Sequence, residues 1–147
     1  MEFDRRFDVI VERLVLMYYP DPVAAIRKLI RHLRPGGLMV FQEFDMDYVR
    51  SHPPAPTFER AAAWMKRTFA ATGTHIRLGS DLYSVFVAAG LPSPKLRIDG
   101  LIGGGPDFPA HDLMAGAIQS ILPVAERTGI VVSPALVGAW SRKSGSI

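Results

Sequence analysis

The sequence predicts an α/β fold on an open, mostly parallel sheet with helices on both faces. Three observations carry that expectation. Phe7–Leu16 and Leu38–Phe44 are nearly continuous in apolar residues, as in strands covered on both faces. Between them lies a helical pattern with a clear start and stop. The connections are short, so strand, helix and second strand fit within residues 7–44. The economical join is then a right-handed βαβ unit with parallel strands.

Each element follows in order. In Phe7–Leu16, Val9, Ile10, Val11, Leu14, Val15 and Leu16 are broken only by Glu12 and Arg13. Asp21 precedes Pro22 at a helix start, where an acidic cap and a proline at the first helical position are both favourable. Val23, Ile26, Leu29, Ile30 and Leu33 recur at helical spacing, with Arg27, Lys28, Arg31 and Arg34 on the other side. Pro35-Gly36-Gly37 is expected to stop this helix before the strand from Leu38. After a proline-rich loop, helices are expected over Thr57–Thr72 and from a Ser80 or Asp81 cap to Gly90. A strand over Lys95–Ile102, a helix over Pro109–Arg127 kinked or ended at Pro123, and a last strand over Leu136–Trp140 complete the reading. The expected organisation is one domain over 1–147. It has a βαβ core at 7–44, a helical segment at 45–94, and strand–helix–strand at 95–147.

Composition narrows the function. The chain has 147 residues, nearly half apolar, with 17 Lys plus Arg against 14 Asp plus Glu and a formal net charge of +3. That suits one domain with a real core and excludes intrinsic disorder. So small a surplus gives no support to nucleic-acid binding. With no cysteine, disulfides, thiolate metal sites and cysteine nucleophiles are excluded. No apolar run approaches the roughly 20 residues of a membrane span. Glu2, Asp4, Arg5, Arg6 and Asp8 leave no apolar signal segment, so a cytoplasmic protein without membrane contact is expected.

Few residues carry chemistry on their own. His32, His52, His75 and His111 lack metal-ligand spacing, and no metal is expected. Glu43, Asp45 and Asp47 alternate, so an extended chain would aim all three to one side. The plainer reading is a polar exit from a strand. Glu43 stands apart, because the carboxyl end of a parallel strand is where open α/β sheets place ligands. Gly103-Gly104-Gly105 lacks the Lys-Ser/Thr partner of a phosphate loop, and there is no G-x-S-x-G elbow.

A larger pattern is more specific. Phe7-Asp8-Val9-Ile10-Val11, the Pro20-Asp21-Pro22 helix start, and Leu33-Arg34-Pro35-Gly36-Gly37 before Leu38–Phe41 together resemble class I S-adenosylmethionine-dependent methyltransferases. They look like that family's fourth strand, the next helix, its L-[KR]-P-G-G turn and its fifth strand. Ala88-Ala89-Gly90-Leu91 is similar to its last helix before the sixth strand, so the likeness runs over about Phe7–Leu101. It implies a partial Rossmann-like sheet of family strands four to seven, with an antiparallel C-terminal strand lying between Leu38–Phe44 and an edge strand at Lys95–Ile102. The implied cofactor is S-adenosylmethionine and the implied partner a small-molecule methyl acceptor.

The family's Gly-rich E/D-x-G-x-G-x-G turn and its ribose-binding acid do not occur here, so the chain is expected to be the C-terminal half of such an enzyme. Methyl transfer would then be incomplete in this chain alone. The alternative is a non-catalytic remnant serving as an interaction or structural domain. The resemblance implies cofactor contacts at Glu12, Arg13 and Leu14 and acceptor contacts at Tyr18 and Gln42. Glu43 is then the candidate general base, needed where the acceptor must lose a proton. The segments expected to cover the cleft are Asp47–Gly79 and Gly103–Gly129. A free Phe7–Leu16 edge, guarded by few charges, is expected to join two copies of the chain.

Overall fold

Apolar strands joined through one helix should pair in parallel, and they do. The computed structural model describes residues 4–105 and 107–131. Strands β1 (Phe7–Arg13) and β2 (Leu33–Gln42) are parallel, in register from Val9 opposite Leu38 to Arg13 opposite Gln42. Helix α1 (Pro22–Ile30) makes the crossover. Its start is as the sequence indicated: the Asp21 carboxylate accepts from Ala24 N–H at 2.9 Å, with Pro22 in the first turn. The expected strand at Leu136–Trp140, and with it the antiparallel C-terminal strand and its place in the sheet, lies outside the described residues.

Both boundaries of the crossover differ from the expected ones. The first strand stops at Arg13, because Leu14 takes a left-handed φ of 56° that turns the chain into a 3₁₀ turn at Leu16–Tyr18. The helix ends at Ile30, and Pro35-Gly36-Gly37 lies inside β2 as an irregularity between the Phe7 and Val9 pairings. Gly37 is needed there. A Cβ would stand 2.8 Å from the Leu33 side chain and 2.9 Å from the Asp8 carbonyl oxygen.

The sheet is covered on one face among the described residues, not on both. Met39 and Phe41 join a core of Leu16, Met17, Ile26, Leu78, Leu82 and Phe86. Phe41 meets Phe86 edge-on at 5.2 Å. The alternate side chains face outward: Val9 is 49% exposed, Val11 72%, Leu38 58% and Val40 45%. Both α1 and α3 (Leu78–Ala88) serve the same face. Arg27 secures the pair by donating to the Ala88 carbonyl at 2.7 Å, a cation at a helix C-terminus.

Lys95–Ile102 is not a strand. Ile98 is 75% exposed and Ile102 98%, and the segment forms no ladder with either described strand. Without cross-strand side-chain partners an alternating pattern is not held as a strand.

The chain divides into two compact units. One holds the sheet, α1 and α3, from residues up to Asp47 and Gly73–Leu96; the other holds Tyr48–Thr72 and the chain from Arg97. The segment 45–94, expected as one helical block, is therefore shared between them. In the second unit α2 (Pro56–Ala71) packs on α4 (Ala110–Arg127). Ala61, Ala62, Trp64, Met65 and Thr68 are buried on α2, and Met114, Ala115, Ile118, Ile121 and Ala125 on α4. The helix α4 continues through Pro123 instead of ending there. Among the described residues no helix is long and apolar enough to cross a membrane.

Candidate functional site

The carboxyl end of the parallel pair is where the chain turns most sharply. The Leu14 N–H donates to the Gln42 carbonyl at 2.8 Å, extending the pairing one residue beyond β1. A left-handed φ at a leucine costs on the order of 1–3 kcal/mol and persists only where neighbours fix it. Here two acids do so. Glu12 Oε1 accepts from the Val15 N–H and, at 3.1 Å, from the Leu16 N–H. Glu43 Oε1 accepts from the Met17 N–H at 3.2 Å. Three successive amides that open a helical turn, each short of an internal partner, are thus met by two carboxyl groups.

Glu12 and Glu43 thus converge on one turn from neighbouring strands. Burial first, and then the neighbouring Glu12 carboxyl, push Glu43 up from its usual 4.5 to about 7, against the opposing pull of the Leu16 and Met17 amides. Desolvation disfavours the charged form, and a second carboxyl group close by adds like-charge repulsion. The Oε2 atom of each is buried, and no donor among the described residues reaches it.

The three alternating carboxylates part company. Glu43 turns to Glu12, while Asp45 accepts from the Ser80 hydroxyl, the Ser80 N–H at 2.9 Å and the Asp47 N–H at 3.0 Å. Asp47 pairs with Arg77 at 3.0 Å. Against some desolvation, the Ser80 and Asp47 donors and the nearby Arg77 charge hold the Asp45 carboxyl below its usual range. Ser80 therefore does not cap α3 as expected. It lies inside the first turn, and the cap comes from Asp45, well away in sequence.

The expected site residues gather at this end but face different ways. Glu12 pairs in register with Phe41 on the covered face, and Glu43 follows on that side. Arg13 and Gln42 are register partners and both exposed. Leu14 is the hinge between them, half-buried, and Tyr18 is 57% exposed on the 3₁₀ turn. His75 was missed by the sequence reading. Its N–H donates to the Met17 carbonyl at 2.9 Å, and its Nε2 lies 3.0 Å from the Tyr19 carbonyl. No local pattern marks it, since both contacts are made across the fold.

A family model described as a methyltransferase domain matches residues 2–92. That span contains β1, α1, β2 and the whole cluster at their carboxyl ends. No curated relative matches the chain.

Proposed function

The chain belongs to the methyltransferase domain family, and from that premise we propose that it transfers a methyl group from S-adenosylmethionine to a small molecule, with Glu43 taking the acceptor's proton. The cofactor, when bound, supplies a methyl group on a positively charged sulfonium. Such a displacement asks the protein mainly for orientation and exclusion of water. Arg13 and Gln42, exposed side by side at the strand ends, offer a guanidinium and an amide suited to a carboxylate and polar groups. We assign Arg13 and Leu14 to the cofactor side, and Gln42 and Tyr18 to the acceptor. Glu12 is turned onto the covered face with its oxygens engaged or buried, so its contribution runs through Glu43.

Glu43 suits the base on two counts. A proton affinity near neutrality is the best compromise for a general base at physiological pH. Its Oε1 accepts from the Met17 amide at 3.2 Å, a long bond that is readily given up when the oxygen takes a proton.

The family match over residues 2–92 carries this reading. The test is transfer of label from methyl-labelled cofactor, at millimolar concentration, to a panel of small nucleophiles. Transfer is expected to be slow, because the Gly-rich turn that cradles the cofactor in this family does not occur in the sequence, and Glu43→Gln should lower it by at least about tenfold, below the usual range for a positioned base. Arg13→Ala should weaken cofactor binding more than turnover, the mark of lost uniform binding. No transfer to any acceptor at saturating cofactor, with native circular dichroism, would overturn the proposal in favour of an interaction domain.

A further inference from the structure

Glu12 is the acid that methyl transfer does not use directly, and its surroundings are unusual for a carboxylate. It lies on the covered face of the sheet, opposite Phe41. Its Oε1 is fully engaged by two amides, as Glu43 Oε1 is by one. The two Oε2 atoms are buried without any other donor among the described residues. A proton held by the pair would satisfy both oxygens at once.

We propose that Glu12 is a positioning residue that shares one proton with Glu43, and that this shared proton both poises Glu43 and closes the Leu14–Met17 turn. Its use in catalysis rests on the methyl-transfer reading; the shared proton does not. Among the described residues no cation replaces it. The 3₁₀ turn brings Leu16, Met17 and Tyr18, none of them cationic, and Arg13 alternates to the open face. Asp45 is engaged by Ser80 and the Asp47 amide, Arg77 by Asp47, and His75 by the Tyr19 carbonyl. When the proton leaves, two adjacent carboxylates repel. Glu43 gives way first, because one bond of 3.2 Å holds it where two amides hold Glu12. The Met17 amide is then released, and Glu43 becomes free to act as a base.

The experiment is a carboxyl-carbon and amide NMR titration of the whole chain, with no methyl donor present, so its outcome is independent of any transferase assay. Glu43 should titrate near 7 with the Met17 amide moving at the same pH. Glu12→Gln keeps an acceptor for the two amides, yet should lower the Glu43 proton affinity by more than about tenfold, one pH unit. A Glu43 midpoint in the ordinary carboxylate range, or one unmoved by Glu12→Gln, overturns the proposal. Should Glu12→Gln fail to fold, Glu43→Gln serves. The Met17 amide should then lose its pH-dependent shift near 7, and a Met17 amide still moving at that pH would refute the shared proton.

Discussion

Replacing Gly79 and Gly116 by alanine should change stability with opposite signs. Both glycines lie within helices, where alanine is favoured by about 0.8–1.0 kcal/mol. At Gly116 a Cβ meets nothing within 4 Å, so the preference is realised and Gly116→Ala should stabilise by up to about 1 kcal/mol. At Gly79 the new Cβ would stand 2.9 Å from Asp45 Cβ and 3.2 Å from both the Asp45 nitrogen and the Phe44 carbonyl carbon. Those atoms belong to the chain leaving β2 and cannot swing aside. Overpacking of this kind costs about 1–3 kcal/mol. Moving α3 to relieve it would strain the Gly79 N–H bond to the Phe44 carbonyl at 3.1 Å and the Asp45 cap on Ser80. Such a cap is worth about 1 kcal/mol. The steric term outweighs the helix preference, and Gly79→Ala should destabilise by about 1–2 kcal/mol net. Thermal melts followed by circular dichroism read both, at roughly 2–4 °C per kcal/mol for a chain of this size. A melting point raised by Gly79→Ala would refute the argument that close approach fixes α3 against the strand exit.

Three further outcomes follow from charges and from the open sheet face. Glu43 binds its proton more tightly folded than unfolded, so the stability it contributes is full below about 4.5 and lost as pH rises through about 7. The melting point should fall between pH 5 and pH 8, and Glu43→Gln should flatten that slope; an unchanged slope would contradict it. Asp45 has the opposite sign: its lowered value means a contribution present above the usual 3.8 and lost as pH falls through the folded value. Asp45→Asn should therefore cost most near neutrality, about 1 kcal/mol of helix capping, and least in strong acid. We also expect two copies to join along β1, whose second edge carries no strand among the described residues and whose Val11 is 72% exposed. Light scattering across a concentration series should show a dimer that Val11→Lys dissociates, and a monomer at high concentration would exclude it.

The parts legible in the sequence were those decided by neighbours along the chain. Asp21-Pro22 and the three-and-four spacing of Val23, Ile26 and Ile30 specify α1 locally, and two apolar runs either side of it specify a parallel pair. What covers each face is decided elsewhere. Val9, Val11, Leu38 and Val40 have the same composition as buried strand residues, yet they face outward. Leu96 and Ile98 alternate as a strand would and yet join neither described strand. Glu43 could be singled out because strand-end position is a sequence property once the strand is known. Its partner could not. The meeting of Glu12 with Glu43 depends on strand register and on the turn at Leu14, as the Asp45 cap on Ser80 depends on α3 returning to the strand exit.

One alternation links these features. Placing Phe41 toward the core obliges its register partner Glu12 to face the core as well, where an isolated carboxylate is costly. Amides that have lost their own partners are the remedy, and a helical turn starting immediately after β1 supplies them. For that turn to begin so soon, the chain must reverse at Leu14, and the left-handed φ of 56° is the result. The strain at Leu14 and the burial of Glu12 therefore offset each other, and neither would persist alone. Glu43 completes the arrangement from the neighbouring strand by meeting the Met17 amide that Glu12 does not reach. A carboxyl group built in this way is held by backbone geometry on two strands, so its protonation state is tied to the shape of the turn from Leu14 to Met17.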